Sequence, residues 1–195
     1  MVVVDTEGQT DEGKYVELSK MLVLPHANVV VAIRGQNIFL NGLFSALQMI
    51  QSSSFDEITD GVPSALQQTM GYIKQVEHLF RCPVDAQEVV LVGYSASARQ
   101  MLCLTYLPDG DGGFVESEVD DTYLSPWMPD EWERPFKATT PDHVRIISTQ
   151  QIADAKVLHP DAALGGRLLL AELTREDCRF STLDRVTDRA RMAAP

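Results

Sequence analysis

A serine directly after a strongly apolar stretch is the first candidate for chemistry. Ser95 lies in Gly93-Tyr94-Ser95-Ala96-Ser97, which partly resembles the G-x-S-x-G nucleophile elbow, a strained strand-to-helix turn that exposes a serine hydroxyl. That motif would imply an α/β-hydrolase-like sheet with a helix immediately after Ser95. However, Ser97 replaces the last glycine, and Met101 to Tyr106 is patterned as a strand. The pattern favours a turn serine, with a serine hydrolase as the alternative.

A catalytic serine also needs a base and a carboxylate that orients the base. The downstream residues that could act in these roles are His143 or His159 as the base and Asp109 or Asp120 as the acid. Their order along the chain is the one that α/β-hydrolases use.

The other polar clusters do not predict a metal or a cofactor. The four histidines include no H-E-x-x-H motif and no pair spaced for one helix face. Asp109-Gly110-Asp111-Gly112-Gly113 looks like a calcium loop, but it lacks the bidentate glutamate and the other ligand positions of an EF-hand. A glycine-rich hairpin turn is the favoured interpretation. No phosphate-binding glycine motif occurs, so we expect no nucleotide cofactor.

Composition limits the possible partners. The chain has 195 residues and 45% hydrophobic content, which suits one domain, predicted to span residues 1–188 before a frayed tail at 189–195. Sixteen basic and 28 acidic residues give a net charge of -12. Such a surface repels nucleic-acid phosphates and anionic lipid, so we expect protein partners and neither nucleic acid nor membrane.

The chain shows no sign of export. Its apolar runs are far shorter than the roughly 20 residues of a membrane span, and its first residues do not resemble a secretory signal. The three cysteines are widely spaced and odd in number, which favours inert thiols in a reducing compartment. We therefore expect a cytoplasmic protein, or one within a particle assembled in the cytoplasm.

Apolar alternation and turn residues predict an initial hairpin and two helices. Strands are expected at Met1 to Thr6, Lys20 to Leu24 and Val29 to Ile33, with a polar loop at Glu7 to Gly13. A three-to-four-residue apolar period then predicts a helix from about Gln36 to Gln51. The capping box Ser54-Phe55-Asp56-Glu57 predicts a second helix from about Phe55 to Phe80, interrupted at Gly61 and Pro63.

The second half of the chain is predicted to be mainly antiparallel. The expected elements are strands at Glu88 to Tyr94, Gln100 to Leu107 and Phe114 to Val119, an ordered loop from Asp120 to Pro141, a short helix around Thr149 to Leu158, and a closing hairpin of Arg167 to Leu173 with Cys178 to Leu183. This order is unlike the strict alternation of a parallel, doubly wound sheet. Antiparallel sheets with separate helix layers fit better.

Several short motifs together resemble the proteasome-like branch of the N-terminal-nucleophile (Ntn) hydrolases. Val2-Val3-Val4-Asp5-Thr6 is similar to the family's second strand, Lys20 to the lysine that opens its next hairpin, and Arg34-Gly35-Gln36 to the glycine before its first helix. Val90 to Tyr94 and Leu102 to Gly110 are similar to the strand pair and turn after its second helix. The resemblance covers most of the chain and implies an α+β fold, a four-layer α/β/β/α sandwich of two antiparallel sheets.

The resemblance also implies a candidate site. In active relatives the nucleophile is the first residue of the mature chain, and its own amino group is the base. Asp5, Lys20 and Gly35 match the acid, the lysine and the oxyanion-binding backbone around it. The sequence given resembles the family only from its second strand onward. Either this sequence lacks the true N-terminus of the protein, or the protein is an inactive relative that keeps the scaffold. We expect the inactive relative.

The expected function is therefore a non-catalytic structural or assembly subunit of a homo-oligomer or a larger particle such as a virion. The alternative is an amide-bond hydrolase, a peptidase or amidase, with an N-terminal nucleophile. The helix at Gln36 to Gln51 carries no charge, although a surface helix usually has a charged outer face. Leu40 and Phe44 of this helix are candidate interface residues. Trp127 and Trp132 are further candidates, because aromatic residues on loops often anchor interfaces.

Overall fold

The computed structural model describes residues 1–9, 15–76, 87–120, 123, 140–158 and 165–186. The strands are β1 Val2–Asp5, β2 Glu7–Gln9, β3 Tyr15–Glu17, β4 Met21–Leu24, β5 Val29–Arg34, β6 Glu88–Ser95, β7 Gln100–Pro108, β8 Phe114–Glu118, β9 Gly166–Leu173 and β10 Cys178–Val186. The helices are α1 Asn37–Gln48, α2 Phe55–Val76 and α3 Pro141–Leu158.

The chain divides into two compact units that interleave along the sequence. The first consists of Met1–Lys20, Asp121–Glu172 and Arg179–Pro195, and the second of Met21–Asp120 and Leu173–Cys178. The described strands form antiparallel sheets in both units, as predicted. A mixed α/β chain with two main antiparallel sheets is consistent with a sandwich.

The second unit is built on a five-stranded sheet in the order β4-β5-β6-β7-β8. Residues of β6 alternate between buried and half-buried positions, because successive side chains of a strand point to opposite faces. Val89 and Leu91 point toward the helices and share one apolar core with α1 and α2. The prediction that the two helices pack on the same face of this sheet is therefore confirmed.

Strand β5 is buried on both of its faces. Val29, Val30 and Val31 are each 0% exposed, so neither alternating set of side chains meets water. Its uninterrupted apolar sequence explains this burial, because a strand with one solvated face would alternate with polar residues.

The start of α2 confirms half of the predicted capping box. The Glu57 N–H donates to Ser54 Oγ at 3.3 Å, but the Glu57 carboxylate accepts from the Ser52 hydroxyl at 2.8 Å and the Ser53 N–H at 3.3 Å. The Ser54 N–H donates to Ser52 Oγ instead. These bonds, that from the Ser52 hydroxyl first, lower the pKa of Glu57, which favours the charge that suits a helix N-terminus.

The predicted interruption of α2 is wrong. The helix runs unbroken through Gly61 and Pro63, although proline removes a backbone donor. Val62 and Ala65 on either side are 1% and 4% exposed. A side chain at Gly61 would collide with Ile50, which packs there. Burial of the apolar face therefore outweighs the lost hydrogen bond.

The first unit contains the three-stranded sheet β1-β9-β10, the hairpin β2-β3 and α3. Strand β2 corrects the first part of the predicted loop at Glu7 to Gly13, and residues 10–13 are outside the described residues. The pattern missed this strand because β2 and β3 have only three residues each and no apolar alternation. Helix α3 begins at Pro141, well before Thr149. Its cap is Thr140, whose Oγ1 accepts the His143 N–H at 3.2 Å, with proline at the first helical position.

Two glycines of the second unit differ in their surroundings and give a matched test of its packing. Gly93 on β6 lies under the ring of Phe55, where an added Cβ would overlap the ring, whereas a Cβ at Gly71 on α2 would meet no atom within 4 Å. We expect Gly93→Ala to lower the free energy of unfolding by about 1–3 kcal/mol through overpacking.

Gly71→Ala is the control, and it should raise the free energy of unfolding by about 0.5–1 kcal/mol because alanine favours a helix interior. Urea denaturation followed by circular dichroism measures both. A Gly93→Ala protein as stable as the wild type would contradict the close packing of α2 on β6.

Candidate functional site

Asp5 and Lys20, two residues predicted for one site, are in contact. Asp5 is the last residue of β1, and Lys20 directly precedes β4. Lys20 Nζ lies 2.6 Å from Asp5 Oδ1, with side-chain exposures of 16% for Lys20 and 13% for Asp5. Because both groups are largely shielded from water, each depends on the other to compensate its charge.

Backbone groups complete this pair. The Gly165 N–H donates to Asp5 Oδ2 at 2.8 Å, so both carboxylate oxygens have partners. Thr6, only 1% exposed, accepts the Arg167 N–H on Oγ1 at 2.9 Å, and its own N–H donates to the Gly165 carbonyl at 3.1 Å. We call these five residues, Asp5, Thr6, Lys20, Gly165 and Arg167, the polar junction. It joins the end of β1 to the start of β9.

Gly35 belongs to the second unit, and its place beside Asp5 and Lys20 stays a prediction. Its φ of +150° lies in a region that side chains other than glycine rarely adopt. A Cβ there would also overlap the amide of Gln87, whose Oε1 accepts the Gln36 N–H at 3.0 Å. Gln87 is 0% exposed. Glycine is therefore required here by the fold, whatever its role in chemistry.

The Ser95 hydroxyl is buried and is hydrogen-bonded within its own turn. Its side chain is 1% exposed, and its Oγ accepts the Ala98 N–H at 3.0 Å and lies 3.0 Å from Ser97 Oγ. Hydrogen bonding by the Ser95 side chain and by the Ser97 N–H lowers the pKa of Asp56, which makes that carboxylate a poor base. The residues after Ser95 form a turn into the antiparallel strand β7. The helix that the α/β-hydrolase alternative requires is therefore absent at this position.

Of the proposed partners of Ser95, Asp109 is far from it. Ser95 pairs with Gln100 at one end of β7, while Asp109 follows the other end, about 30 Å away at the rise of a strand. The Asp109 carboxylate accepts N–H groups of Asp111 and Gly113, as the turn interpretation predicts. His143 belongs to the other compact unit, so its place beside Ser95 stays a prediction, as does that of Asp120. His159 is outside the described residues.

The described residues offer no metal centre and no reactive thiol. Within residues 1–9, 15–76, 87–120, 123, 140–158 and 165–186, no group of three potential ligands is close enough to hold a metal ion. Burial raises the pKa of Cys103 to about 11 and also raises that of Cys178, which keeps both thiols protonated. Among the described helices, none combines the length and the apolar character needed to cross a membrane.

Leu40 and Phe44, the interface candidates on α1, pack toward the core of the second unit and not on the outward face of the helix. Leu40 is 5% exposed and lies in the apolar core, and Phe44 is half-buried and packs against that core. The outward face of α1 consists instead of Asn37, Asn41, Ser45, Gln48 and Met49. Three-to-four-residue spacing identified the apolar stripe but not which of its members face the sheet. Trp127 and Trp132 lie outside the described residues.

Sequence reasoning missed three contributors to these sites, namely Thr6, Gln87 and Gly165. Thr6 and Gln87 are buried polar residues that hold backbone groups, and Gly165 supplies a backbone N–H. None carries a local signal, because each acts on a residue far away in sequence.

Comparison with known proteins finds similarity in structure but not in sequence. No protein-family model and no curated protein matches the chain. The (Gly-1) mutant of Anbu from Hyphomicrobium sp. strain MC1 matches with a TM-score of 0.66 at 11% identity, covering 96% of this chain and 83% of that one.

Two further structures give the same result. Anbu from the same Hyphomicrobium strain matches with a TM-score of 0.61 at 12% identity, covering 96% of this chain and 84% of that one. Anbu from Yersinia bercovieri, described as an ancestral beta-subunit, matches with a TM-score of 0.60 at 13% identity, covering 94% and 83% respectively. Identities this low carry information on the fold alone. At that level, the fold of this chain resembles the fold of Anbu.

Proposed function

We propose that this chain is a non-catalytic subunit of a protein assembly, folded as a four-layer α/β/β/α sandwich of the Ntn type. The observation that carries the proposal is the outward face of α1. Its exposed residues include Asn41, Ser45 and Met49, and Met49 is 80% exposed. From Gly35 to Phe55 the chain has no Lys, Arg, Asp or Glu. Burying amides and hydroxyls costs much less than burying charges, so this face is suited to a protein contact.

The comparisons support the assembly role by analogy. One solved relative in fold is described as an ancestral beta-subunit, and a shared fold is an associational argument rather than a physical one. The partners would be copies of this chain or other proteins of a larger particle such as a virion, and the place of assembly would be the cytoplasm. The net charge of -12 argues against nucleic acid as the partner.

The state of the hydroxyl groups supports the non-catalytic part of the proposal. Thr6 Oγ1 accepts a backbone N–H and is buried, and Ser95 Oγ does the same. Asp5 and Lys20 pair with each other at 2.6 Å. These groups have structural partners, and a nucleophile needs an adjacent free base.

The alternative function is an amide-bond hydrolase with an N-terminal nucleophile. The polar junction favours it, because a lysine held beside a carboxylate is what the resemblance to active Ntn hydrolases implies around the nucleophile. The intact mass of the protein purified from its natural source distinguishes the two functions. We expect a mature chain whose first residue is not Thr, Ser or Cys and which does not hydrolyse peptide or amide substrates. A chain whose first residue is an upstream Thr, Ser or Cys, together with turnover, would establish the hydrolase.

Substitution of Lys20 tests whether the junction is a structural ion pair. Lys20→Met should lower the free energy of unfolding by about 1–3 kcal/mol, because Asp5 would lose the compensating charge. This loss lies between those measured for exposed and for fully buried ion pairs. The double variant Asp5→Asn/Lys20→Met should recover part of this loss. Chemical denaturation of the three proteins measures the coupling. Lys20→Met with unchanged stability and loss of a measured hydrolysis would instead favour the catalytic role.

Replacement of Ser95 tests the serine-hydrolase alternative. Ser95→Ala should lower the free energy of unfolding by about 1 kcal/mol, because the Ala98 N–H loses its acceptor. Any hydrolysis by the preparation should stay unchanged. Complete loss of hydrolysis by a folded Ser95→Ala protein would show that Ser95 is the nucleophile.

A further inference from the structure

Four aspartate or asparagine residues of this chain are followed directly by glycine, a pair that can rearrange its own backbone. They are Asn41, Asp60, Asp109 and Asp111. Glycine has no side chain to crowd its nitrogen, so this nitrogen can reach the side-chain carbonyl of the residue before it and close a five-membered imide ring. The ring forms only where that carbonyl is free to turn toward the nitrogen. The surroundings of the four pairs therefore decide which of them reacts.

Two of the pairs lie inside helices, where the ring cannot close. Asn41 is in α1 and Asp60 is in α2. A helical ψ of about −40° directs the next nitrogen along the helix and not toward the side chain. The glycines that follow these two residues are also confined by neighbouring side chains. We therefore expect both pairs to be inert in the folded protein.

The side chain of Asp109, in the turn between β7 and β8, is held by backbone donors. Its Oδ1 accepts the N–H of Asp111 at 2.8 Å and the N–H of Gly113 at 2.9 Å. These bonds, that from Asp111 first, lower the pKa of Asp109 and keep it ionised. An ionised carboxylate is a poor target for a nucleophile, because it already carries negative charge. Ring closure at Asp109 would have to break two hydrogen bonds and add a proton first.

Asp111, two residues later in the same turn, lacks these restraints. Its carboxylate is exposed and has no hydrogen bond or ion pair with the residues that the structure describes. Gly112, the next residue, has a φ of +90°, which a side chain would disfavour. A Cβ there would have Lys74 Nζ, 3.9 Å away, as its nearest atom from outside the turn. An unrestrained carboxyl group and an uncrowded nitrogen therefore meet at the bond between Asp111 and Gly112.

We infer that Asp111 is a site of spontaneous isomerisation, at which the chain converts its own aspartate to isoaspartate. The Gly112 nitrogen forms a bond to Asp111 Cγ, and one Cγ–O bond breaks. The oxygen leaves as water with the amide proton and the carboxyl proton. A second water then adds to the main-chain carbonyl carbon of Asp111, the bond from that carbon to the Gly112 nitrogen breaks, and the nitrogen regains a proton. The main chain now runs through Cβ and Cγ, and no reactant other than water is consumed.

Isoaspartate at this position would alter the turn from which β8 starts. The Asp109 N–H donates to the Gly113 carbonyl at 3.2 Å across the turn, and isomerisation inserts one methylene group into the backbone between them. Phe114, the first residue of β8, follows directly, and its ring stacks on Phe39 of α1. The modified chain should therefore have a looser β7–β8 hairpin and a lower free energy of unfolding.

The test is storage of the full chain at neutral pH and body temperature, followed by digestion with a protease that cleaves before aspartate but not before isoaspartate. Cleavage before Asp111 should be lost with time, and a form lighter by one water should appear on the way. Cleavage before Asp60 and Asp109 should persist, and Asn41 should show no deamidation. In urea that unfolds the chain, all four positions should react, because the fold no longer restrains them.

Asp111→Glu is the matched variant. It keeps the exposed charge, but its ring would need six members and closes far more slowly, so position 111 should remain unmodified. Stored wild type should unfold at a lower urea concentration than fresh wild type, while stored and fresh Asp111→Glu should unfold alike. A folded wild type without isoaspartate at position 111 would overturn the site. Equal reaction at Asp60 or Asp109 in the folded chain would overturn the selection by the turn, and an unchanged urea midpoint of the modified protein would overturn the effect on β8.

Discussion

The contact between the Phe55 ring and the glycine backbone at Gly93 is the constraint on which much of the second unit depends. Phe55 is the first residue of α2 and is 2% exposed, and any side chain at position 93 would push the helix away from β6. The packing of Phe55 also fixes the position of the next residue, Asp56. Asp56 Oδ2 accepts the N–H of Ser97, in the turn between β6 and β7, at 3.0 Å. The turn serines are therefore engaged in holding the helix start to the sheet, and this explains why Ser95 is buried. Helix α1 then packs beside α2, and Phe39 stacks on Phe114 of β8 with ring centroids 5.9 Å apart.

Sequence patterns predicted those elements whose formation depends on near neighbours. The Pro25 to Asn28 turn between two apolar strands gave the β4–β5 hairpin, and the period of α1 gave that helix within a few residues. The predicted end of α2 at about Phe80 stays a prediction, because the described part of this helix stops at Val76 and residues 77–86 are outside the described residues. Helix α3 was predicted too short because only Ile152 and Ala155 are buried on it, so its apolar period is weak, and its true start is marked by the cap at Thr140 alone.

What the sequence could not provide are interactions between residues distant along the chain. Asp5 and Lys20 were related to one site only through the family resemblance, and the Gly165 N–H that completes the pair comes from a position far from both. Gln87 is a further example. It directly precedes β6, and its side-chain oxygen accepts the N–H of Gln36, which lies after β5. The side of α1 on which Leu40 lies was also undetermined, because a broad apolar stripe has edges that only the packed neighbours define. Single-residue roles therefore required the tertiary structure.

The polar junction and the outward face of α1 carry unequal weight as indicators of function. A largely shielded ion pair is costly to break, since removal of one partner leaves the other charge uncompensated. Asp5 also accepts the Gly165 N–H, and Thr6 accepts the Arg167 N–H, so the junction would be retained by a scaffold without any catalysis. The outward face of α1 has a different set of contacts. Asn41 Nδ2 donates to Asn37 Oδ1 and the Ser45 hydroxyl donates to the Asn41 carbonyl, both within the helix itself. These residues are exposed, and a charged surface would serve solubility better. The uncharged outward face of α1 is therefore the feature that supports the proposed assembly role, while the ion pair is compatible with either proposed function.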